Sequence, residues 1–577
     1  MSELVSTIDI RPQFEKTFNA VLMQIKQLKY TFGICLVVHI ALFLAILWVF
    51  YRYDVYLIYK YFVGLLLSVF SDPQMHIANE DGREYLRRAS EVVSIIKPHI
   101  PMKLKKILLL FVWTGLTYPV GLFIADLYYE KKTKEALQDK HLRGTKILSV
   151  EDINKAMKKR GEIADLPLGQ VKWPKSKETH NCLIVGKSGA GKTQMIRALL
   201  SAIRRQGNKA IVYSYKSDDY ISVFYDSSRD YIFNPVDRRC VGWNIFNEIK
   251  SVLDINSIAQ SLIPTPKETR TPYFYNAARG VLKGCLKYLH DNGQRTNADL
   301  WATVSLPRKE LLNLLKNNSG CEEAVTYLSG DGETVNNVMS TFMEHVACFQ
   351  YLTDVHGDFS TSDFLRSDKQ GFLYLLNNSA LEETIKPLLT LFIDLLMQRV
   401  DALPDDLNRR IFFVLDEFGS LHELRSIITA LTRQRSKGIA TILGTQDFGQ
   451  LDRLYGQETR GTIINSCSTN VVLMVKEPKT AEYASSIIGD SEILQRREQL
   501  TYGVSDLRDG GGITEQVIKK RVVLADEIKN WPPLKAVIGI PGYGWSINRI
   551  PAKDYAVVAE GLILKDSMFL DGSEKTQ

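Results

Sequence analysis

This chain of 577 residues predicts an α/β nucleotide-binding domain with an inserted all-α domain, preceded by a two-helix transmembrane anchor. Three features carry that reading. A short apolar strand runs into a glycine-rich loop and then a helix around Gly186–Thr193. A second apolar strand, tipped by two carboxylates, follows only after more than 200 residues, many at helical spacing. Two long uncharged runs lie near the N-terminus; runs of that length mark membrane helices.

The anchor comes first. Thr31–Tyr51 and Ile107–Ala125 carry no charge, and each is long enough to cross a hydrocarbon core of ~30 Å as a helix. No small-residue cleavage site follows the first run, which argues against a signal peptide. The expected division is an anchor over residues 1–130, with spans at about 31–51 and 107–125 and an outer loop at 52–106. Within about 20 residues of the spans, the outer flanks hold nine Lys/Arg against eight in the loop, so charge bias does not orient the anchor. The phosphate loop does. ATP is cytoplasmic, so the chain after the second span is expected on that side, and with two spans the N-terminus joins it. Tyr61–Phe70, ten uncharged residues, is too short to span and is expected in the outer domain or at the interface; if it crossed, the N-terminus would lie outside. His39, inside the first span, reads as a neutral residue or a helix–helix contact.

Composition adds bounds. A net charge of +7 permits a nucleic-acid or anionic-membrane partner without demanding one. Seven scattered cysteines with no C-x-x-C read as reduced, buried thiols, not as a disulfide framework or zinc site.

Cys182–Val185 leads into Gly186-Lys187-Ser188-Gly189-Ala190-Gly191-Lys192-Thr193, and Met195, Ile196, Leu199, Leu200 and Ile203 then repeat at helical spacing. Strand, loop and helix together make a G-x-x-x-x-G-K-[ST] match informative. Gly186, Ser188, Gly189 and Gly191 let backbone N–H groups face a polyphosphate, and the helix N-terminus adds partial positive charge. Lys192 is expected to reach the β- and γ-phosphates, and the Thr193 hydroxyl to hold Mg²⁺. The implied ligands are ATP and Mg²⁺.

Ala210–Tyr215 reads as a further strand and Tyr231–Pro235 as a short edge strand or loop. Tyr273–Leu289, Arg308–Lys316, Cys321–Leu328 and Thr334–Phe349 are helical by pattern, and Gly371–Leu376 returns to strand character. The nucleotide-binding domain is therefore expected over 131–250 and 369–560, the insert over 251–368 and a short tail over 561–577. Leu328–Gly332 invites comparison with the ABC-transporter signature loop, but it lies far from the acidic strand and reads as a turn. His422-Glu423 has no second histidine at zinc-protease spacing.

Ile411–Leu415 is a buried strand ending in Asp416-Glu417, the end at which parallel sheets place ligands. Asp416 is assigned to Mg²⁺, directly or through water, and Glu417 to the attacking water as general base. Ile439–Gly444 is another buried strand, and Gln446 beyond it is expected to sense the γ-phosphate or its water. Between them, Leu431–Gly438 reads as a helix C-terminus rich in cations. Arg433 or Arg435 can there serve a neighbouring subunit's nucleotide, and spacing does not choose between them.

Taken in order, the two spans, Leu142-Arg143-Gly144-Thr145, GKSGAGKT, Ile232–Asn244, the helical insert, Phe412–Leu424 and Thr441–Gly456 resemble the type IV secretion coupling proteins, of the TraD type carried by conjugative plasmids and integrative elements. The resemblance runs from the first span to Gly542. It implies a hexameric, RecA-like P-loop ATPase of the bacterial inner membrane. Such an enzyme docks a DNA–relaxase complex on the secretion channel and helps pump single-stranded DNA. On the family's motifs, Gly186, Gly191, Lys192 and Thr193 match the phosphate loop, Asp416 and Glu417 the acidic strand, and Gln446 the third motif. Arg435 falls on the trans-acting arginine. The insert corresponds to a cytoplasmic all-α domain concerned with substrate choice. The chain stops at Gln577, so the long tail with which other TraD forms capture a relaxosome accessory protein is not expected.

A DNA pump also needs cations in its bore. Lys216, Arg238, Arg239 and the Arg496-Arg497 pair are candidates that the sequence does not place. Three rival readings stand beside the pump. A chromosome translocase of the FtsK kind would carry more spans, a long linker and a winged-helix reader, none of which is visible. A receptor for secreted effector proteins would share every motif. A nucleotide-gated scaffold would leave Glu417 idle.

Overall fold

A computed structural model describes residues 11–568, apart from positions 138, 217, 268, 331, 378–379, 381 and 502–509. The chain forms two compact units: the residues up to Lys140 together with Leu494–Gln516, and His141–Ile493 together with Val517 onward.

In the first unit, helix Arg11–Phe50 is followed by helix Arg52–Phe70 with Tyr51 alone between them. A hairpin of Gln74–Ala78 and Glu84–Arg88 comes next. Helices Ala89–Ile96, Ile100–Thr114 and Thr117–Leu137 follow. Three stretches are long and apolar enough to cross a membrane, Lys29–Phe50, Arg52–Phe70 and Ala89–Tyr128, where the sequence predicts two. The difference arises because Arg52, Asp54 and Lys60 break the apolar run of the second stretch in sequence without breaking its helix. Its side chains nevertheless pack locally. Leu57 joins Met75, Ala89, Val92, Ile96 and Ile100 in a small core, and Asp54 pairs with Lys103. His39 makes a helix contact, its Nε2 lying 3.2 Å from the carbonyl oxygen of Phe111.

The second unit is built on a sheet of ten strands. In chain order they are β1 (Ile147–Leu148), β2 (Cys182–Val185), β3 (Lys209–Ser214), β4 (Tyr231–Phe233), β5 (Phe372–Leu376), β6 (Ile411–Leu415), β7 (Ile439–Thr445), β8 (Thr469–Val472), β9 (Lys535–Ile540) and β10 (Gly544–Arg549). Their order across the sheet is β1-β10-β9-β8-β2-β7-β6-β3-β5-β4. From β8 to β4 every pairing is parallel. β9 turns antiparallel to β8 and β10 antiparallel to β9. Strands β2, β3, β5, β6 and β7 are buried along their whole length, which is why each is an almost unbroken apolar run.

Between β4 and β5 the chain is helical: Val252–Leu262, Pro272–Asp291, Asn297–Val304, Arg308–Lys316, Glu322–Ser329, Glu333–Val346 and Thr361–Arg366. Three of these escape the periodicity reading, Val252–Leu262, Asn297–Val304 and Thr361–Arg366, and the first two are announced by their caps. The side chain of Ser251 accepts from the Asp254 N–H, and Thr296 forms a reciprocal capping box with Asp299. Leu328 and Ser329 close one helix, and Gly330 and Gly332 lie between it and the next, with Asp331 outside the described residues. All seven cysteines are free, and only Cys240 is partly exposed.

Beyond β10 the chain runs extended and docked. Val558 N–H donates to Ser222 O at 2.7 Å, Arg238 N–H to Ile563 O at 2.8 Å and Lys565 N–H to Val236 O at 3.0 Å. Lys565 Nζ also pairs with Asp354 at 2.6 Å. The described part of the expected tail, up to residue 568, thus lies against the sheet domain and the insert; residues 569–577 fall outside the described residues.

Candidate nucleotide site

β2, β7 and β6 lie side by side, and the site is made by the residues just past the C-terminal end of each strand. After β2, the Gly186 N–H donates to Thr445 O at 3.1 Å and the Lys187 N–H to Met474 O at 2.9 Å, seating the loop against β7 and the end of β8. Gly191, at φ +116°, then caps helix Lys192–Arg205 in a conformation that side-chain-bearing residues avoid.

After β6 the chain presents Asp416 and Glu417, both buried. Glu417 has left-handed backbone angles (φ 62°, ψ 50°), and its carbonyl accepts from the Ser420 N–H at 2.9 Å and hydroxyl at 2.7 Å, which hold the turn. Gly444 of β7 lies against Asp416, where an added Cβ would stand 3.0 Å from Oδ1. Past β7, the Gln446 N–H donates to Glu417 Oε1 at 3.3 Å.

Lys192 ties the two carboxylates together, with Nζ 2.7 Å from Glu417 Oε2 and 3.0 Å from Asp416 Oδ1. Burial pushes the ammonium pKa down, but the opposed charges of Asp416 and Glu417 outweigh it, so the net shift is upward and Lys192 is a cation. Asp219 nearby is raised, first by burial and then by the charge of Asp416. Tyr220, fully buried, donates its hydroxyl to Asp416 Oδ2 at 2.6 Å.

The resulting cleft, of about 380 Å³, is lined by Ser188, Gly189, Gly191, Lys192, Thr193, Asp416, Glu417 and Gln446, with Pro533, Leu534 and Ala552 as an apolar wall. The structure therefore gathers these sequence-predicted residues, with Gly186 beneath the loop. A cation and backbone amides on one side, two carboxylates on the other and a flat apolar wall suit a polyphosphate with an attached base. The oxygen donors Thr193 and Asp416 line the same cleft, a donor set that fits a hard cation such as Mg²⁺.

Arg435 is not in this cleft. It is exposed and lies before β7, beside His180, whose imidazole is held down by burial and then by the charge of Arg435. Gln446 lies beyond the other end of that seven-residue strand, roughly 23 Å away. Lys216, a candidate for a bore, is on the cleft wall instead. Arg239 is committed to Asp237 at 2.7 Å and to the carbonyls of Glu560 and Gly561. Arg238 is exposed, and the side chains of Arg496 and Arg497 lie outside the described residues.

Sequence reasoning missed Asp219, Tyr220 and Gly444 and read Lys216 only as a candidate for a bore. A signal existed for Lys216, Asp219 and Tyr220, because they lie shortly after a buried strand, and groups past parallel strand ends gather at ligands.

A family model described as the type IV secretion-system coupling protein DNA-binding domain matches residues 165–550. The coupling protein TraD of Escherichia coli (strain K12) is 25% identical over 397 residues, which make up 68% of this chain and 55% of TraD. The chain thus spans about half the length of that curated relative. Among solved structures, the unbound bacterial conjugative coupling protein TrwBΔN70 superposes with a TM-score of 0.65 at 26% identity, covering 74% of this chain and 96% of that one. Plasmid coupling protein TrwB in complex with the non-hydrolysable ATP analogue ADPNP gives a TM-score of 0.65 at 25% identity, over 74% and 98% of the two chains.

Proposed function

The chain belongs to the type IV secretion-system coupling proteins, and on that premise we propose that it is a membrane-anchored ATP hydrolase that brings a DNA–relaxase complex to a secretion channel and powers single-stranded DNA transfer. The observation that carries this reading is the meeting of Lys192, Thr193, Asp416, Glu417 and Gln446 in one cleft. The ATP-analogue complex of TrwB supports the nucleotide. The apolar N-terminal helices support an inner-membrane anchor.

In this reading Lys192 exchanges its carboxylate partners for the β- and γ-phosphates. Thr193 and Asp416 hold Mg²⁺, which neutralises phosphate charge when bound. Glu417, freed from Lys192, accepts a proton from water. Gln446, already hydrogen-bonded through its backbone to Glu417, reports whether the γ-phosphate is present. Arg435, at the far end of β7 from its own cleft, serves the neighbouring subunit of a hexamer. The channel proteins and the relaxase are the partners.

The test is hydrolysis rate against protein concentration, with and without single-stranded DNA. The expected result is a per-subunit rate that climbs with concentration, rises further with DNA and is lost in Lys192→Ala. Absence of hydrolysis at every concentration would overturn the proposal. Hydrolysis indifferent to DNA but raised by a secreted protein would replace DNA transfer with effector reception.

A further inference from the structure

We propose that Tyr220 is a positioning residue that fixes the Asp416 carboxylate for a divalent cation; this rests on the hydrolase reading above. Tyr220 belongs to helix Asp218–Phe224, which follows β3 and is part of neither the phosphate loop nor the acidic strand. Its side chain is fully buried. Its hydroxyl is 2.6 Å from Asp416 Oδ2.

The direction of this bond follows from chemistry. An ionised carboxylate can only accept, so the phenol proton goes to Asp416. With Oδ2 committed to the phenol, Asp416 is held from rotating, and Oδ1 stays on the side of Lys192, 3.0 Å away. An oxygen donor of the site is thus ordered by one buried hydroxyl before any cation arrives. Mg²⁺ demands a strict oxygen geometry, and partners that orient its ligands are worth about 10–100-fold in affinity.

The experiment titrates Mg²⁺, and separately Mn²⁺ read by electron paramagnetic resonance, into the detergent-solubilised full chain with a fluorescent ATP analogue. A parallel nucleotide titration is run in EDTA. Tyr220→Phe keeps the buried ring and removes only the hydroxyl. It is expected to raise the metal concentration at half-saturation about 10-fold or more, and to weaken metal-free nucleotide binding much less. In an Asp416→Asn background the same substitution is expected to shift metal half-saturation little, because the oxygen it orients is gone. Equal half-saturation for Tyr220→Phe and the parent would overturn the assignment, as would an undiminished shift in the Asp416→Asn background. The parent's own curve tests the underlying reading, since a parent that binds no nucleotide, or binds it without regard to metal, removes the hydrolase premise itself.

Discussion

Lys192, with two carboxylates within 3.0 Å, is the residue on which the site turns. A buried cation shared this way is worth most as a neutraliser, because removing it leaves two like charges together at a cost of ~3–5 kcal/mol. Lys192→Ala should therefore lose both nucleotide turnover and thermal stability. Glu417→Gln keeps the shape and loses the base, so it should slow turnover by ~10²–10⁴-fold while still binding nucleotide, as separate binding and rate measurements would show. His422 gives a pH prediction. Burial, then the charges of Lys386 and His345, lower its pKa to about 3. An unfolded histidine titrates near ~6.5, so below that pH the unfolded chain takes up a proton that the folded chain refuses. The contribution is complete above ~6.5 and is lost as pH falls toward the folded value, at ~1.4 kcal/mol per unit. Denaturant midpoints between pH 6 and 4 should depend less on pH in His422→Asn, and an unaltered slope would count against the buried imidazole.

At the level of elements, much of the site was legible because its strands are buried on both faces and so read as apolar runs ending in chemistry. Ile411–Leu415 with Asp416-Glu417, and the loop after Cys182–Val185, are examples. The order of the strands was not legible. Nothing in the sequence says that β7 intervenes between β2 and β6, yet that placement brings Gln446 to Glu417 and leaves little room for a side chain at Gly444. Tyr220 was hidden for a related reason, since its partner is 196 residues downstream and only the pairing of β3 with β6 brings Asp416 near. The docked segment after β10 also went unread, having neither period nor motif. It depends on Arg239, which neutralises the buried Asp237 and binds two carbonyls of the segment. Arg239→Ala should cost ~3–5 kcal/mol by stranding that carboxylate, and hydrogen exchange should rise first over residues 556–565.

For the molecule as a whole, the separation of Arg435 from its own cleft makes subunit sharing testable by mixing. Arg435→Ala alone should bind nucleotide normally and hydrolyse it ~10³-fold more slowly. Added Lys192→Ala subunits, which have no working cleft but keep the guanidinium, should restore part of that rate. No recovery in the mixture would argue that each subunit works alone. The single residue joining helices Arg11–Phe50 and Arg52–Phe70 has a consequence of another kind. Tyr51 still donates its N–H to Leu47 O at 3.1 Å, whereas doubling a helix back takes about 2–5 linking residues. On that linkage the second helix is expected to make no return passage, which would leave an even number of crossings and put the N-terminus on the same face as the nucleotide-binding domain. A fluorescent protein fused ahead of Met1 should glow in living cells, and alkaline phosphatase fused at the same point should remain silent.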